Sequence, residues 1–166
     1  NLIRVPFSKN NYLALILVHD TSAADVKRLH HIRETISAKN ISSFVRVETN
    51  LPPEKMSEYF SAADAGIIPW KDDLPTSIPI KAFDYAGTGL PTIAKCSPHS
   101  ELDAWMKKNA PRGAVVYSWS DFSSNLARVW TKPLSTAQRV KLASHAHASW
   151  DRRAISSRAV ESIRVQ

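Results

Sequence analysis

Cysteine is nearly missing from this chain. Cys96 is the only one among 166 residues, which excludes an internal disulfide and fits a reducing, cytoplasmic setting. No histidine stands near it in a spacing that nucleophilic catalysis uses, so the thiol reads as a small core residue behind a strand. Long apolar runs are missing too: nothing approaches the roughly 18 consecutive apolar residues of a membrane helix. No secretory leader is visible from Asn1 onward. No block of five like charges occurs, which argues against a nucleic-acid-binding tail. Metal-ligand spacing is also wanting. His30 and His31 are adjacent, and His145 and His147 are separated by one residue, so on helices neither pair shares a face. Repeats, low-complexity tracts and internal linkers are lacking, and residues 1–166 read as one domain.

What is present is a basic balance. Lys and Arg number 22 against 15 Asp and Glu, a net charge of +7. Such a surface suits phosphorylated ligands or peripheral contact with an anionic membrane. The charges are spread, with mild clusters at Lys27-Arg28, Lys107-Lys108 and Arg152-Arg153, so most read as a solvated face. An apolar fraction of 43% is ordinary for a globular domain.

Taken in order, apolar runs alternate with helical patterns. Tyr12–Val18 is continuous and predicts a central strand buried on both faces, with His19-Asp20 at its carboxyl end. Thr21 or Ser22 can cap the next helix, Asp25 completing a capping-box-like pattern with Ser22, and the inward stripe is Val26, Leu29, Ile32 and Ile36. Phe44–Glu48 alternates as a strand and runs into a turn at Thr49-Asn50-Leu51-Pro52. Pro53 opens a helix with Met56, Tyr59 and Phe60 inward. After the central stretch, Ser97-Pro98 reads as a cap and first-turn proline ahead of a helix packed through Leu102, Trp105 and Met106. Ala114–Tyr117 is a fifth strand. Helices follow over 121–130, with Phe122, Leu126 and Val129 inward, and over 136–149. A last helix is expected from Trp150-Asp151, with Ile155, Ala159 and Ile163 inward. Five strands interleaved with helices predict an α/β, Rossmann-like parallel sheet with helices on both faces.

The central stretch spans residues 64–94. Ala65–Ile68 is a short strand closed by Pro69. Residues 71–77 are polar and proline-containing, hence a loop, and Asp72-Asp73 within it reads as solvated rather than as a magnesium site. Pro79 suits the first turn of a helix that ends near Thr88, with Gly89 as a left-handed cap. Thr92–Ala94 starts the next strand. The loop therefore lies at the carboxyl edge of a parallel sheet, where ligands bind, and feeds a helix N-terminus that favours anions. Lys81 adds a charge there, and Asp84, three residues on, lies on the same helix face. Together they suit a nucleotide diphosphate and its ribose.

Lys81-Ala82-Phe83-Asp84-Tyr85-Ala86-Gly87-Thr88-Gly89-Leu90-Pro91-Thr92-Ile93-Ala94 resembles the Lys-x-x-Glu-Tyr-x-x-x-Gly-x-Pro-Val-Ile-Ala signature of retaining GT-B glycosyltransferases of the family 4 kind (glycosyl transferases group 1). Ser61–Pro69 is similar to the segment that precedes that signature. The resemblance implies the C-terminal, donor-binding half of a GT-B fold. The first strand of that half, its glycine-rich turn and its Arg and Lys are not found before Tyr12, and the N-terminal acceptor-binding domain is absent. Many members carry two Glu with seven residues between them. The second falls on Asp84, one methylene shorter, and implies a ribose contact. The first falls on the uncharged Thr76.

The resemblance further implies retaining transfer of a sugar from a nucleotide diphosphate sugar to an acceptor in polysaccharide or glycolipid biosynthesis. Asp84 would hold the ribose and Lys81 the phosphates. Ser77 and Ile78 would offer backbone N–H groups, Thr76 would lie near the donor sugar, and the base would sit near Thr49 and Asn50. No metal or other cofactor is required, because the chain's own groups supply positive charge. The implied partners are the nucleotide-sugar donor and the missing acceptor-binding domain. Nucleic acid is not among them. This stretch alone is not expected to turn over. The alternatives are a non-catalytic nucleotide- or protein-binding module on the same fold and an unrelated flavodoxin-like or receiver domain. The last is disfavoured by Pro69-Trp70 where a receiver needs a nucleophilic Asp.

Overall fold

The computed structural model describes residues 14–18, 21–110, 112–130 and 134–150. They fall into two compact units that divide between Ser57 and Glu58. His19-Asp20 and the helix expected beyond Trp150 lie outside the described residues.

In the first unit, β1 (Ala14–Val18), α1 (Ala23–Ala38) and β2 (Val45–Thr49) form a β-α-β turn of chain. The strands pair in parallel from Ala14 opposite Val45 to Val18 opposite Thr49. The apolar run is thus a strand, but not one buried on both faces: Leu15 is 38% exposed. Ser22 caps α1, its Oγ accepting from Asp25 N at 3.1 Å and donating to the Asp25 carboxylate at 2.6 Å. Leu29 and Ile36 are buried as expected, whereas Val26 is exposed. At about 100° per residue, Val26 stands roughly 80° round the helix from Ile36, outside the stripe. Asn40 ends α1 in the left-handed region at φ 51. Ile41 N there donates to Ile36 O and Asn40 N to Ser37 O, so two terminal carbonyls are satisfied.

The division falls within α2 (Pro53–Ala62). The second unit then runs β3 (Gly66–Pro69), α3 (Ile80–Gly87), β4 (Thr92–Lys95), α4 (Glu101–Asn109), β5 (Ala114–Val116), α5 (Phe122–Trp130) and α6 (Thr136–Trp150). β3, β4 and β5 make a parallel sheet in that order, with Gly66 opposite Thr92 and Ile93 opposite Ala114. Among the described residues the five expected strands are all present, β1 and β2 paired in parallel in the first unit and β3, β4 and β5 in parallel in the second. Flanked by helices, they are Rossmann-like α/β.

The second unit's core lies around β4. Ile93, Ala94 and Cys96 are fully buried, as are Leu102, Met106 and Phe122. Each such large side chain contributes about 1.5–3 kcal/mol through burial. The inward residues expected for α4 are the ones that pack. Its cap differs: Ser100, not Ser97, accepts from Asp103 N at 3.2 Å, and α4 starts after it. Ser97 Oγ instead donates to Asp72, which removes it from capping.

Gly89 ends α3 at φ 62, with Leu90 N donating to Tyr85 O and Gly89 N to Ala86 O, the paired bonds of a Schellman motif. A Cβ on Gly89 would stand 2.1 Å from Arg139 O of α6. The side chains of α6 complete other ends. The Arg139 guanidinium donates to the carbonyls of Phe60 (2.8 Å), Ser61 (2.7 Å) and Ala63 (3.0 Å), closing the C-terminus of α2. His147 Nε2 lies 3.1 Å from Gly87 O, at the end of α3. α6 itself opens on a capping box: Gln138 N donates to Ser135 Oγ, and Ser135 N to Gln138 Oε1. Trp150 is the last described residue of α6.

Candidate functional site

β3 delivers the chain to the carboxyl edge of the second unit's sheet. Gly66 starts it because the Tyr85 ring lies where a side chain would be: an added Cβ would come within 2.5 Å of that ring. Ile68 is buried and Ile67 exposed, so the short strand keeps one face in the core. The polar segment 70–79 then crosses the edge as the expected loop, tied at several points. Trp70 N donates to Lys95 O at 2.9 Å and Trp70 Nε1 to Leu74 O at 3.2 Å. Glu101 N donates to Pro75 O at 2.8 Å.

Pro79 is the N-cap of α3, not a first-turn residue, because its ψ of 142° is still extended. Proline has no side-chain acceptor, so the helix starts without a side-chain cap. The backbone N–H groups of Ser77, Ile78, Ile80 and Lys81 accordingly have no acceptor among the described residues. They form a run of donors at a helix N-terminus, suited to an anion. Ser77 Oγ is committed to Leu74 O at 3.3 Å, leaving only its backbone to offer. Thr76 is exposed in the turn before it.

Lys81 and Asp84 are brought together, as their spacing predicts: Nζ lies 3.2 Å from Asp84 Oδ2 and both are partly exposed. The ammonium also stands 5.3 Å from the centre of the Phe60 ring, a cation–π distance. Thr49 and Asn50 belong to the first unit, at the carboxyl end of β2. Asn50 is left-handed at φ 52, and its N–H donates to Val18 O at 3.1 Å.

Two polar clusters on the second unit's carboxyl edge escaped the sequence reading. Asp72, in the loop, pairs with Lys95 at the end of β4 and accepts from Ser97 Oγ at 3.0 Å. Hydrogen bonds from Lys95 and then Ser97 hold its carboxyl below the ordinary value. The other cluster surrounds Asp103, which is 2% exposed. Its carboxylate accepts from Lys107 Nζ (2.9 Å), His99 N (3.0 Å) and Tyr117 OH (3.2 Å). Burial raises the Asp103 pKa, but those three donors outweigh it and the carboxyl is held below its ordinary range. Ser100-x-x-Asp103 and the Asp103–Lys107 spacing were legible signals of this cluster; Tyr117 was not, being brought in by the fold. Burial pushes the Cys96 thiol up, in keeping with a core role.

A small apolar crevice lined by Ala82, Leu90, Trp105 and Ala146 also reaches Thr92 and Gly113, near the starts of β4 and β5. It is therefore at the amino end of the sheet, away from the loop. Among the described residues no helix is long and apolar enough to cross a membrane.

No protein-family model and no curated protein matches this chain in sequence. Solved structures do match in shape. WaaG, a glycosyltransferase involved in lipopolysaccharide biosynthesis, is 17% identical with a TM-score of 0.55, over 87% of this chain and 44% of WaaG. The spinosyn forosaminyltransferase SpnP is 15% identical with a TM-score of 0.53, over 96% of this chain and 45% of SpnP. The chain spans less than half the length of either protein, and at these identities the likeness is one of fold.

Proposed function

We propose that this chain is the donor-binding half of a retaining glycosyltransferase of the GT-B, family 4 kind, acting on a nucleotide diphosphate sugar. The observation that carries the reading is the uncapped N-terminus of α3 at the carboxyl edge, where four backbone N–H groups have no acceptor among the described residues and Lys81 and Asp84 stand close by in sequence. The likeness of fold to two glycosyltransferases supports it. In this reading the N–H groups of Ser77 and Ile78 and the Lys81 ammonium take the diphosphate. Asp84 accepts from the ribose hydroxyls. Positive charge held by the protein stabilises the leaving diphosphate as the glycosidic bond to it breaks. Thr76 stands where many relatives of this kind carry an acid, so the donor sugar meets a hydroxyl there. The acceptor is held by a separate domain.

Lys81 gives up its 3.2 Å contact with Asp84 on meeting a phosphate, which frees the carboxylate for the ribose. The test is titration calorimetry with uridine, guanosine and adenosine diphosphates on the full-length protein. Asp84→Asn weakens binding roughly tenfold or more, the loss expected for one charged hydrogen bond, and a deoxyribose analogue loses little further. Lys81→Ala weakens diphosphates more than the free nucleoside. Wild-type affinity in both variants would reduce the two residues to a surface ion pair and favour the non-catalytic module.

A further inference from the structure

Lys95 is an ammonium in an unusual place. It ends β4, the middle strand of its sheet, opposite Pro69, and its side chain is only 12% exposed. The stem of the side chain is largely covered, and its ammonium keeps an anion beside it. The anion it has is Asp72 of loop 70–79, whose side chain is 62% exposed. The two oxygens of that carboxylate are held separately: Oδ2 takes Lys95 Nζ and Oδ1 takes Ser97 Oγ at 3.0 Å. The partner on β4 is held in place by its strand, whereas the more exposed one on the loop returns to water at little cost.

We infer that Lys95 and Ser97 form a seat for a phosphate group and that the Asp72 carboxylate occupies the same seat, so that ligand and loop compete for it. The inference rests on the reading that a nucleoside diphosphate binds at this edge. Two donors spanning two oxygens of one anion fit phosphate as well as carboxylate, and a doubly charged phosphate draws on the ammonium more strongly. The lowered pKa of Asp72, set first by Lys95 and then by Ser97, is in keeping with a seat that favours negative charge. When Asp72 leaves, the 3.2 Å bond from Ser97 Oγ to its backbone oxygen also breaks, while Pro75 stays tied to Glu101 N. Asp72 thereby loses its tie to Ser97, while Trp70, bonded to Lys95 O and Leu74 O, holds the loop on either side of Asp72 and Asp73. Asp72 acts as a latch, and Lys95 is a second cation, besides Lys81, that receives a phosphate of the ligand.

The test compares inorganic pyrophosphate, a nucleoside diphosphate and the bare nucleoside by calorimetry on the full-length protein. Asp72→Asn removes the competitor and tightens both phosphate ligands by roughly two- to fivefold, the factor an ion pair of this exposure holds back, with the nucleoside unchanged. Lys95→Met weakens both by roughly tenfold or more and spares the nucleoside. Ser97→Ala acts in the same direction to a smaller extent and serves if Lys95→Met does not fold. The inference is overturned if Asp72→Asn binds pyrophosphate no tighter than wild type, or if neither Lys95→Met nor Ser97→Ala weakens it. Nucleoside diphosphate binding that responds to Asp84→Asn but not to these variants leaves the donor reading standing without the seat. The Asp72 and Lys95 pattern with pyrophosphate alone, and no nucleotide binding, leaves the seat standing without the donor.

Discussion

Gly87→Ala and Gly89→Ala, two residues apart at the end of α3, are expected to move stability in opposite directions. Gly89 has φ 62, which costs an L-residue about 1–2 kcal/mol. Its added Cβ would also stand 2.1 Å from Arg139 O and 2.8 Å from Arg139 C. Those are backbone atoms of α6 and cannot swing aside, so the helix must shift, at an overpacking cost of about 1–3 kcal/mol. Gly89→Ala therefore destabilises by roughly 2–5 kcal/mol. At Gly87 the nearest atom to an added Cβ is His147 Nε2 at 3.9 Å, ordinary contact distance. Alanine there relieves a helical glycine and stabilises by about 0.5–1 kcal/mol. Urea unfolding followed by circular dichroism reads both changes as midpoint shifts at constant slope. The reasoning fails if Gly89→Ala unfolds at the wild-type midpoint, or if Gly87→Ala is the more damaging of the two.

Arg139→Met removes all three bonds that close α2 and should cost about 2–3 kcal/mol, read as a lower melting temperature; Arg139→Lys recovers only part, since a point charge cannot span three carbonyls. Asp103 gives a pH signature. Its folded pKa lies below the ordinary 3.8, so its stabilisation is complete above that value and is lost as pH falls through the folded one. The stability gap between wild type and Asp103→Asn should stay flat from neutral pH down to about 3.8 and narrow only below it. Lys107 behaves oppositely: bonds to Asp103 and then Tyr117 raise its pKa above 10.5, so its share is present below that value and lost as pH rises further.

Much of the fold was legible because it follows from local signals. The short apolar run at Ala65–Ile68 was legible as a strand, although β3 starts at Gly66 and takes in Pro69 as its last residue, and Gly89 had to end α3 because the turn requires a positive φ. One boundary moved by three residues where two capping residues competed: Ser97 and Ser100 both suit a helix start, and the loop's Asp72 claimed the first. Lys81 and Asp84 were readable as a pair from their spacing alone. Lys95 was not readable as a site residue, because its partner lies 23 residues away in sequence and its burial depends on the sheet around it. Arg139 was hidden for the same reason: a helix interior gives no sign that its guanidinium reaches the end of another helix 76 to 79 residues earlier.

The two polar anchors on α6 carry a mechanical consequence. Arg139 and His147 are eight residues apart, so they sit about 12 Å apart along the helix and roughly 80° apart around it. One anchor would leave α6 free to pivot. Two, offset in both height and angle, define a screw: sliding by one residue moves each anchor about 1.5 Å and turns it about 100°, losing both at once. No neighbouring setting satisfies either end, so α6 has one seating depth and one rotation against α2 and α3. The tight fit of Gly89 against Arg139 O depends on that single setting.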